Sequence, residues 1–164
     1  MLINTQQYNK AKELLEKLVV EKKCTRADII FLLCRAYDFM GDYEKTIGSL
    51  SADSYKNREG RGSLYTIYTE SHVGKGEQLY QQKNYEAACK EFESSIDYPL
   101  TLGPGLTSDP ETARSEYWIG MSKEKLGKKE EALKHWKLAA DQADKGSDEN
   151  KKFAKEAKGK SLVN

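Results

Sequence analysis

Residues 117–140 read YWIGMSKEKLGKKEEALKHWKLAA, and their punctuation decides the fold. A small residue, Gly120, follows Tyr117, Trp118 and Ile119 on what reads as a first helix. Leu126-Gly127 ends that helix, because glycine accepts the left-handed conformation that closes a helix. A second helix then carries Ala132, Trp136 and Ala139 at four- and three-residue steps, the spacing of one helical face. The template recurs upstream. Gly76, Tyr85, Ala88, Phe92 and Ser95 repeat it, followed by Pro99; Cys34, Gly41-Asp42-Tyr43 and Thr46 repeat it more loosely. The turn positions 41, 83 and 127 lie 42 and 44 residues apart. Such self-similarity marks stacked helical hairpins, each too thin to bury its apolar face alone.

Working outward, residues 5–21 read as one amphipathic helix with Thr5 as its cap and Tyr8, Ala11, Leu14, Leu15, Leu18 and Val19 on its apolar side. Helix pairs are expected near 26–52, 63–98 and 110–144. Residues 53–62, with Asn57, Gly60 and Gly62 among charges, read as a solvated loop. All three prolines, Pro99, Pro104 and Pro110, fall in 99–110, so no helix passes through that segment. Asp109 is the expected cap of the next helix, with Pro110 at its first position. Residues 146–164 read as a charged tail with room for a short capping helix at 151–158, Phe153 and Ala157 on its weak apolar side. The expected fold is all-α: an α-α superhelix of three helix pairs over residues 1–145, preceded by a lone helix.

Composition narrows the function. Lys and Arg number 27 against 26 acidic residues, which argues against a nucleic-acid binder built on bulk charge. No apolar run approaches the roughly 18 residues of a membrane span, and none resembles a signal-peptide core. Cys24, Cys34 and Cys89 form no CxxC pair and read as free thiols, which favour a reducing compartment and a cytoplasmic location.

These residues resemble the tetratricopeptide repeat, or TPR. Tyr117-Trp118-Ile119-Gly120, Leu126-Gly127, Ala132, Trp136 and Ala139 match it most fully, then Gly76, Tyr85, Ala88, Phe92 and Ser95; the copy with Cys34 and Thr46 is weaker, with Asp53 where an alanine is expected. The physical basis is close helix approach, so Ala88 and Gly120 are expected at tight contacts. The helix at 5–21 fits the second helix of a repeat, with Ala11 at the small position and Leu15 at the bulky one. Either it caps the array, or the chain is cut from a longer protein. Residues 92–140, through Tyr98-Pro99, Leu102-Gly103-Pro104-Gly105 and Glu116-Tyr117-Trp118-Ile119-Gly120, also resemble the TPR tail of large bacterial proteins that carry β-rich, carbohydrate-associated domains. That likeness implies an accessory or assembly segment.

The resemblance places the first helix of each pair on a concave, partner-binding face. Projecting the template puts Phe31, Arg35 and Phe39 there from the first pair, Glu70, Val73, Glu77 and Tyr80 from the second, and Arg114, Tyr117, Trp118 and Met121 from the third. Phe31, Val73 and Tyr117 read equally as packing between neighbouring helices, leaving Arg35, Phe39, Glu77, Tyr80, Arg114, Trp118 and Met121 as the binding candidates. Trp118 is the expected anchor, because Ile119, Gly120, Leu126 and Ala132 already supply the seam within the pair. Phe31, Gly74 and Trp118 stand where chaperone-binding TPRs need polar groups to hold a terminal carboxylate, so that ligand is not expected. Gly60-Arg61-Gly62, Gly74-Lys75-Gly76 and Gly103-Pro104-Gly105 follow no strand and continue no phosphate-binding motif. His72 and His135 have no metal-ligand or catalytic spacing around them. A scaffold without catalysis, metal or cofactor, binding a protein or peptide segment, is the expected function, with homodimer formation or assembly within a larger protein as the alternative.

Overall fold

The structure, a computed structural model, describes residues 5–52, 61–102 and 111–163. Among these residues the chain is all-α, with no strand. Its helices are α1 (Thr5–Glu16), α2 (Ala27–Phe39), α3 (Tyr43–Ala52), α4 (Arg61–Gln81), α5 (Tyr85–Ile96), α6 (Ala113–Lys125), α7 (Lys129–Ala140) and α8 (Asp148–Val163), with a 3-10 turn at Leu100–Leu102. The expected helix over 5–21 is divided: α1 stops at Glu16 and one π-helical turn, Lys17–Glu21, continues it. Most of the loop expected at 53–62 lies outside the described residues, as do Pro104, Asp109 and Pro110. The chain forms two compact units, Met1–Gly74 with Tyr98–Gly105, and Lys75–Asp97 with Leu106–Asn164.

Three helix ends close in the same way. Gly41, Lys83 and Gly127 adopt positive φ angles of 74°, 62° and 77°. The next residue's N–H then reaches back five residues, from Asp42 to Tyr37 O (3.0 Å), from Asn84 to Leu79 O (2.9 Å) and from Lys128 to Lys123 O (2.9 Å). Each bond satisfies a carbonyl that the helix end leaves open. Lys83 carries a Cβ in a conformation that disfavours one. Lys83→Gly is therefore expected to raise the unfolding free energy by about 0.5–1 kcal/mol in a urea titration. A loss of stability would show that the Lys83 side chain makes a contact worth more than the strain.

In the first unit α2 packs between α1 and α3, burying Ile30, Leu33, Cys34, Ala36 and Tyr37. Half-buried Asp38 accepts hydrogen bonds from Thr46 Oγ1 (2.7 Å) and Ser71 Oγ (2.8 Å), so its carboxylate ties α3 and α4 to α2. Gly74 admits the Tyr43 ring; a Cβ on Gly74 would stand 2.4 Å from it. Thr101 Oγ1 donates to Leu50 O (2.9 Å), holding the 3-10 turn against α3.

In the second unit the repeated positions are the core. A Cβ on Gly76 would lie 2.5 Å from the Phe92 ring, and one on Gly120 would lie 2.4 Å from Trp136 Nε1. Helices α4 and α5, and likewise α6 and α7, can approach this closely only where the facing residue has no side chain. Phe92, Ala88, Ala132, Ala139 and Ser95 are fully buried, and Trp136 nearly so. Ser95 Oγ donates to Phe92 O (2.6 Å) and is hydrogen-bonded to Ser115 Oγ (2.7 Å), so serine stands in a helix seam without an unpaired hydroxyl.

The short capping helix expected at 151–158 in the charged tail is a longer one of 16 residues, α8, packed on both α6 and α7. Ala154 and Ala157 are fully buried, and Phe153 packs beside them. Asn150, 3% exposed, accepts from Ala113 N–H (3.0 Å) and donates to Lys145 O (3.1 Å). Gln142 Oε1 accepts from Thr112 N–H (3.0 Å). Thr112, at the cap position of α6, makes no side-chain cap of its own. The first turn of α6 is thus capped from the opposite end of the unit's chain, which supplies the acceptors its orphan N–H groups require.

Candidate functional site

Helix α6 has two faces. Ala113, Ser115, Ile119, Gly120 and Ser122 are buried in the unit. Arg114, Tyr117, Met121 and Glu124 recur at three- and four-residue steps along a half-buried stripe. Helix α8 lays a matching stripe beside it. Arg114 Nη1 donates to Glu149 Oε1 (2.9 Å), the Tyr117 ring lies 5.4 Å from that of Phe153, and Lys160 Nζ lies 3.5 Å from Glu124 Oε2. From α4, Glu77 Oε1 accepts from Arg114 Nη2 (2.8 Å) and Nε (3.2 Å), and the Tyr80 ring meets Trp118 at 5.1 Å. The Arg114 guanidinium also stands 5.6 Å from the Phe153 ring centre.

Five of the seven candidate residues thus fall in the second unit, and four of them pair among themselves: Glu77 with Arg114, and Tyr80 with Trp118. Met121 packs against the buried cluster around Trp136. Arg35 and Phe39 belong to the first unit. Arg35 lies 3.5 Å from Glu70, both exposed, and Phe39, 53% exposed, stacks on Tyr8 at 3.8 Å. Val73 is buried and Phe31 half-buried.

Trp118 is not left over after packing. Its ring stacks on Phe92 (5.8 Å, 14°) and meets Tyr80 and Tyr117 edge-on, so it fills the join between α4, α5 and α6. Its indole N–H is buried without a hydrogen-bond acceptor, a group that is expensive to leave unmade. The seam within the pair needs no tryptophan on α6, but the junction between pairs uses one.

Burial pushes the Tyr80 and Tyr117 hydroxyls above the usual phenol range, and nearby carboxylates add to it: Glu124 for Tyr80, and Glu156 and Glu124 for Tyr117. These tyrosines remain protonated donors at neutral pH. Glu156, exposed on α8, forms no ion pair among the described residues. Glu156 and Lys160 escaped the sequence reading, which named Phe153 and Ala157 on that helix only as a weak apolar side, although Asn150, Ala154 and Ala157, at four- and three-residue steps, mark a buried face there.

In the first unit a cleft of about 420 Å³ runs along the π-helical turn, lined by Glu13, Glu16, Lys17, Val20, Glu21 and Tyr37. Tyr37 O–H already donates to Glu16 Oε1 (2.9 Å). Three carboxylates, one lysine, one valine and one tyrosine make up this lining. Burial raises the Cys34 thiol to about 12 and the Cys89 thiol to about 11, which keeps both protonated and unreactive. His135 Nδ1 pairs with Glu116 Oε2 (2.7 Å) at a half-buried helix contact. Among the described residues no group of three or more His, Cys, Asp or Glu is placed to hold a metal ion, and no helix is long and apolar enough to cross a membrane.

Comparison of the chain with protein-family models, with curated proteins and with solved structures finds no match.

Proposed function

We propose that this chain is a non-catalytic, TPR-like helical-repeat module that binds an extended protein or peptide segment, and that the stripe on α6 and α8 is its binding face. One observation supports the reading: a single packing register recurs along the chain. Cys34 and Leu50, Gly76 and Phe92, and Gly120 and Trp136 occupy equivalent positions sixteen residues apart, with Thr46, Ala88 and Ala132 buried between them. That register consumes one side of α6, and Arg114, Tyr117, Met121 and Glu124 lie half-buried on the other, beside α8. Aromatic side chains and arginine suit such a face, since they bury much area for little lost freedom.

A photo-crosslinking amino acid placed at Met121 in the native host tests this, with Leu138, 50% exposed on α7, as the control. A discrete adduct from position 121 and none from 138 is expected. Adducts from 138 alone, or from neither, would contradict the reading.

A second reading, self-association or docking within a larger assembly, is favoured by the first unit. Leu14 and Leu18, one turn apart, are 64% and 43% exposed along α1 and its π-helical turn, an exposed apolar pair of the kind found at interfaces. Sedimentation of Leu14→Glu/Leu18→Glu against the parent chain decides it: an unchanged mass in both removes this alternative.

A further inference from the structure

We infer that the exposed side of the α1–α2 pair is a seat for one helix of a partner protein, laid across both helices as α4 is laid on α5 and α6, with a glycine or alanine where it crosses Leu15. The inference rests on the reading of the first unit as a docking unit and names what docks there.

The second unit shows the same seat filled. There α4 lies on α5 and α6 together: Gly76 faces the Phe92 ring, Tyr80 meets Trp118 (5.1 Å) and Glu77 pairs with Arg114 (2.8 Å). In this arrangement Ala88, Phe92 and Ser95 of α5 are fully buried. The α5–α6 pair is itself tied by Glu93 and Lys123, 3.3 Å apart, one residue after Phe92 and three after Gly120. The α1–α2 pair is tied at the same two places. Glu16 is one residue after Leu15, Tyr37 is three after Cys34, and Tyr37 O–H donates to Glu16 Oε1 (2.9 Å). Ala11, Leu15 and Leu18 therefore stand on α1 where Ala88, Phe92 and Ser95 stand on α5, and Leu32 stands on α2 where Trp118 stands on α6.

The counterparts differ in cover. Ala11 is exposed, Leu15 half-buried, Leu18 43% exposed and Leu32 51% exposed. They share one side of the pair, because Tyr8 stacks on Phe39 at 3.8 Å, and Leu15 and Leu32 lie seven residues from those rings on the same helix faces. Gly76 against Phe92 and Gly120 against Trp136 show what the bulky residue at this place demands: a facing helix with little or no side chain at the crossing. Leu18 and Leu32 require that helix to be apolar around the crossing. A second copy presents no such face among the described residues. Gly48 on α3 and Gly159 on α8 have nothing within 4 Å of an added Cβ, but Glu44 and Lys45 flank the first, and Lys155 and Glu156 the second.

The test uses the full chain, labelled with nitrogen-15, and two acetylated, amidated peptides with the sequence of residues 112–126, one unaltered and one with Gly120→Leu. This segment, which forms α6, carries a glycine on an apolar helix face. The unaltered peptide is expected to shift amide signals of Ala11, Leu15, Leu18 and Leu32. It should bind at least about tenfold more tightly than the Gly120→Leu peptide, although leucine is the better helix former. Leu32→Glu in the chain, checked as folded by circular dichroism, is expected to abolish the shifts. Equal or tighter binding of the leucine peptide, shifts that survive Leu32→Glu, or no shift at these four residues overturns the inference. Shifts of the same residues on concentrating the chain alone would make a second copy the occupant, and overturn it too. The docking reading is judged separately: a mass that changes in Leu14→Glu/Leu18→Glu keeps it even where the peptide fails.

Discussion

Trp136→Ala is expected to lower the unfolding free energy by about 3–5 kcal/mol, the loss typical of a fully buried tryptophan. Trp136 is 1% exposed, its indole N–H donates to Tyr117 O (3.3 Å), and its ring fills the space above Gly120. Gly120 provides the complementary experiment. Alanine is the better helix former by about 1 kcal/mol, so an ordinary helix glycine should be stabilised by the change. Gly159 is ordinary in this sense, with nothing within 4 Å of a Cβ placed on it, and Gly159→Ala should stabilise. Gly120→Ala should instead destabilise by about 1–3 kcal/mol, because its methyl enters the tryptophan ring. In a Trp136→Ala background the sign should reverse, since the obstacle has gone. Urea titrations of the four variants read all four results. A Gly120→Ala protein as stable as the parent would show that the two helices are not held by this contact.

A chain ending after Ser147, without α8, is expected to lose cooperative unfolding of the second unit. The deletion uncovers Ala113, Trp136 and Ala139, and removes the Asn150 carbonyl that accepts from Ala113 N–H. Asn150→Ala alone should cost about 1–2 kcal/mol, as loss of a helix cap does, so the remaining effect of truncation measures the packing of Ala154, Ala157 and Phe153. Circular dichroism at 222 nm during heating distinguishes the cases. A sharp transition in the truncated chain, as steep as the parent's, would make α8 an appendage.

Much of the helical framework is legible in the sequence because it rests on residues that tolerate no substitute. Gly41 and Gly127 mark helix ends through their backbone conformation, and Gly76 and Gly120 mark contacts through the absence of a side chain. Spacing exposes them even where neighbours vary. Lys83 shows the limit: it takes the same left-handed turn without glycine, and only its place in the period marks it. Helix α8 was underestimated because alanines make its contact. Ala154 and Ala157 add little hydropathy but let the helix come close, so a strongly charged segment conceals a buried face. The π-helical turn at Lys17–Glu21 leaves no such sign, since one extra residue in a turn changes neither composition nor apolar count. At the candidate site, helical projection named Arg114, Tyr117 and Met121 on α6 but not Glu124, and it took Trp118, which fills a helix junction, as the anchor. It did not reveal that Glu77 and Arg114 neutralise each other or that Trp118 is held by Phe92, because both contacts join separate helices.

The central claim is that α6 divides its side chains between packing and partner binding, and a paired scan along that helix tests it directly. Each variant is measured twice, for urea midpoint and for affinity toward the partner captured through position 121. Ile119→Ala and Gly120→Ala are expected to lower stability by about 1–3 kcal/mol, whereas Met121→Ala and Glu124→Gln should stay within about 1 kcal/mol of the parent and lose affinity at least about tenfold. If affinity instead follows stability at every position, with Met121 and Glu124 no different from Ile119 and Gly120, α6 has no separate binding face and the account is contradicted.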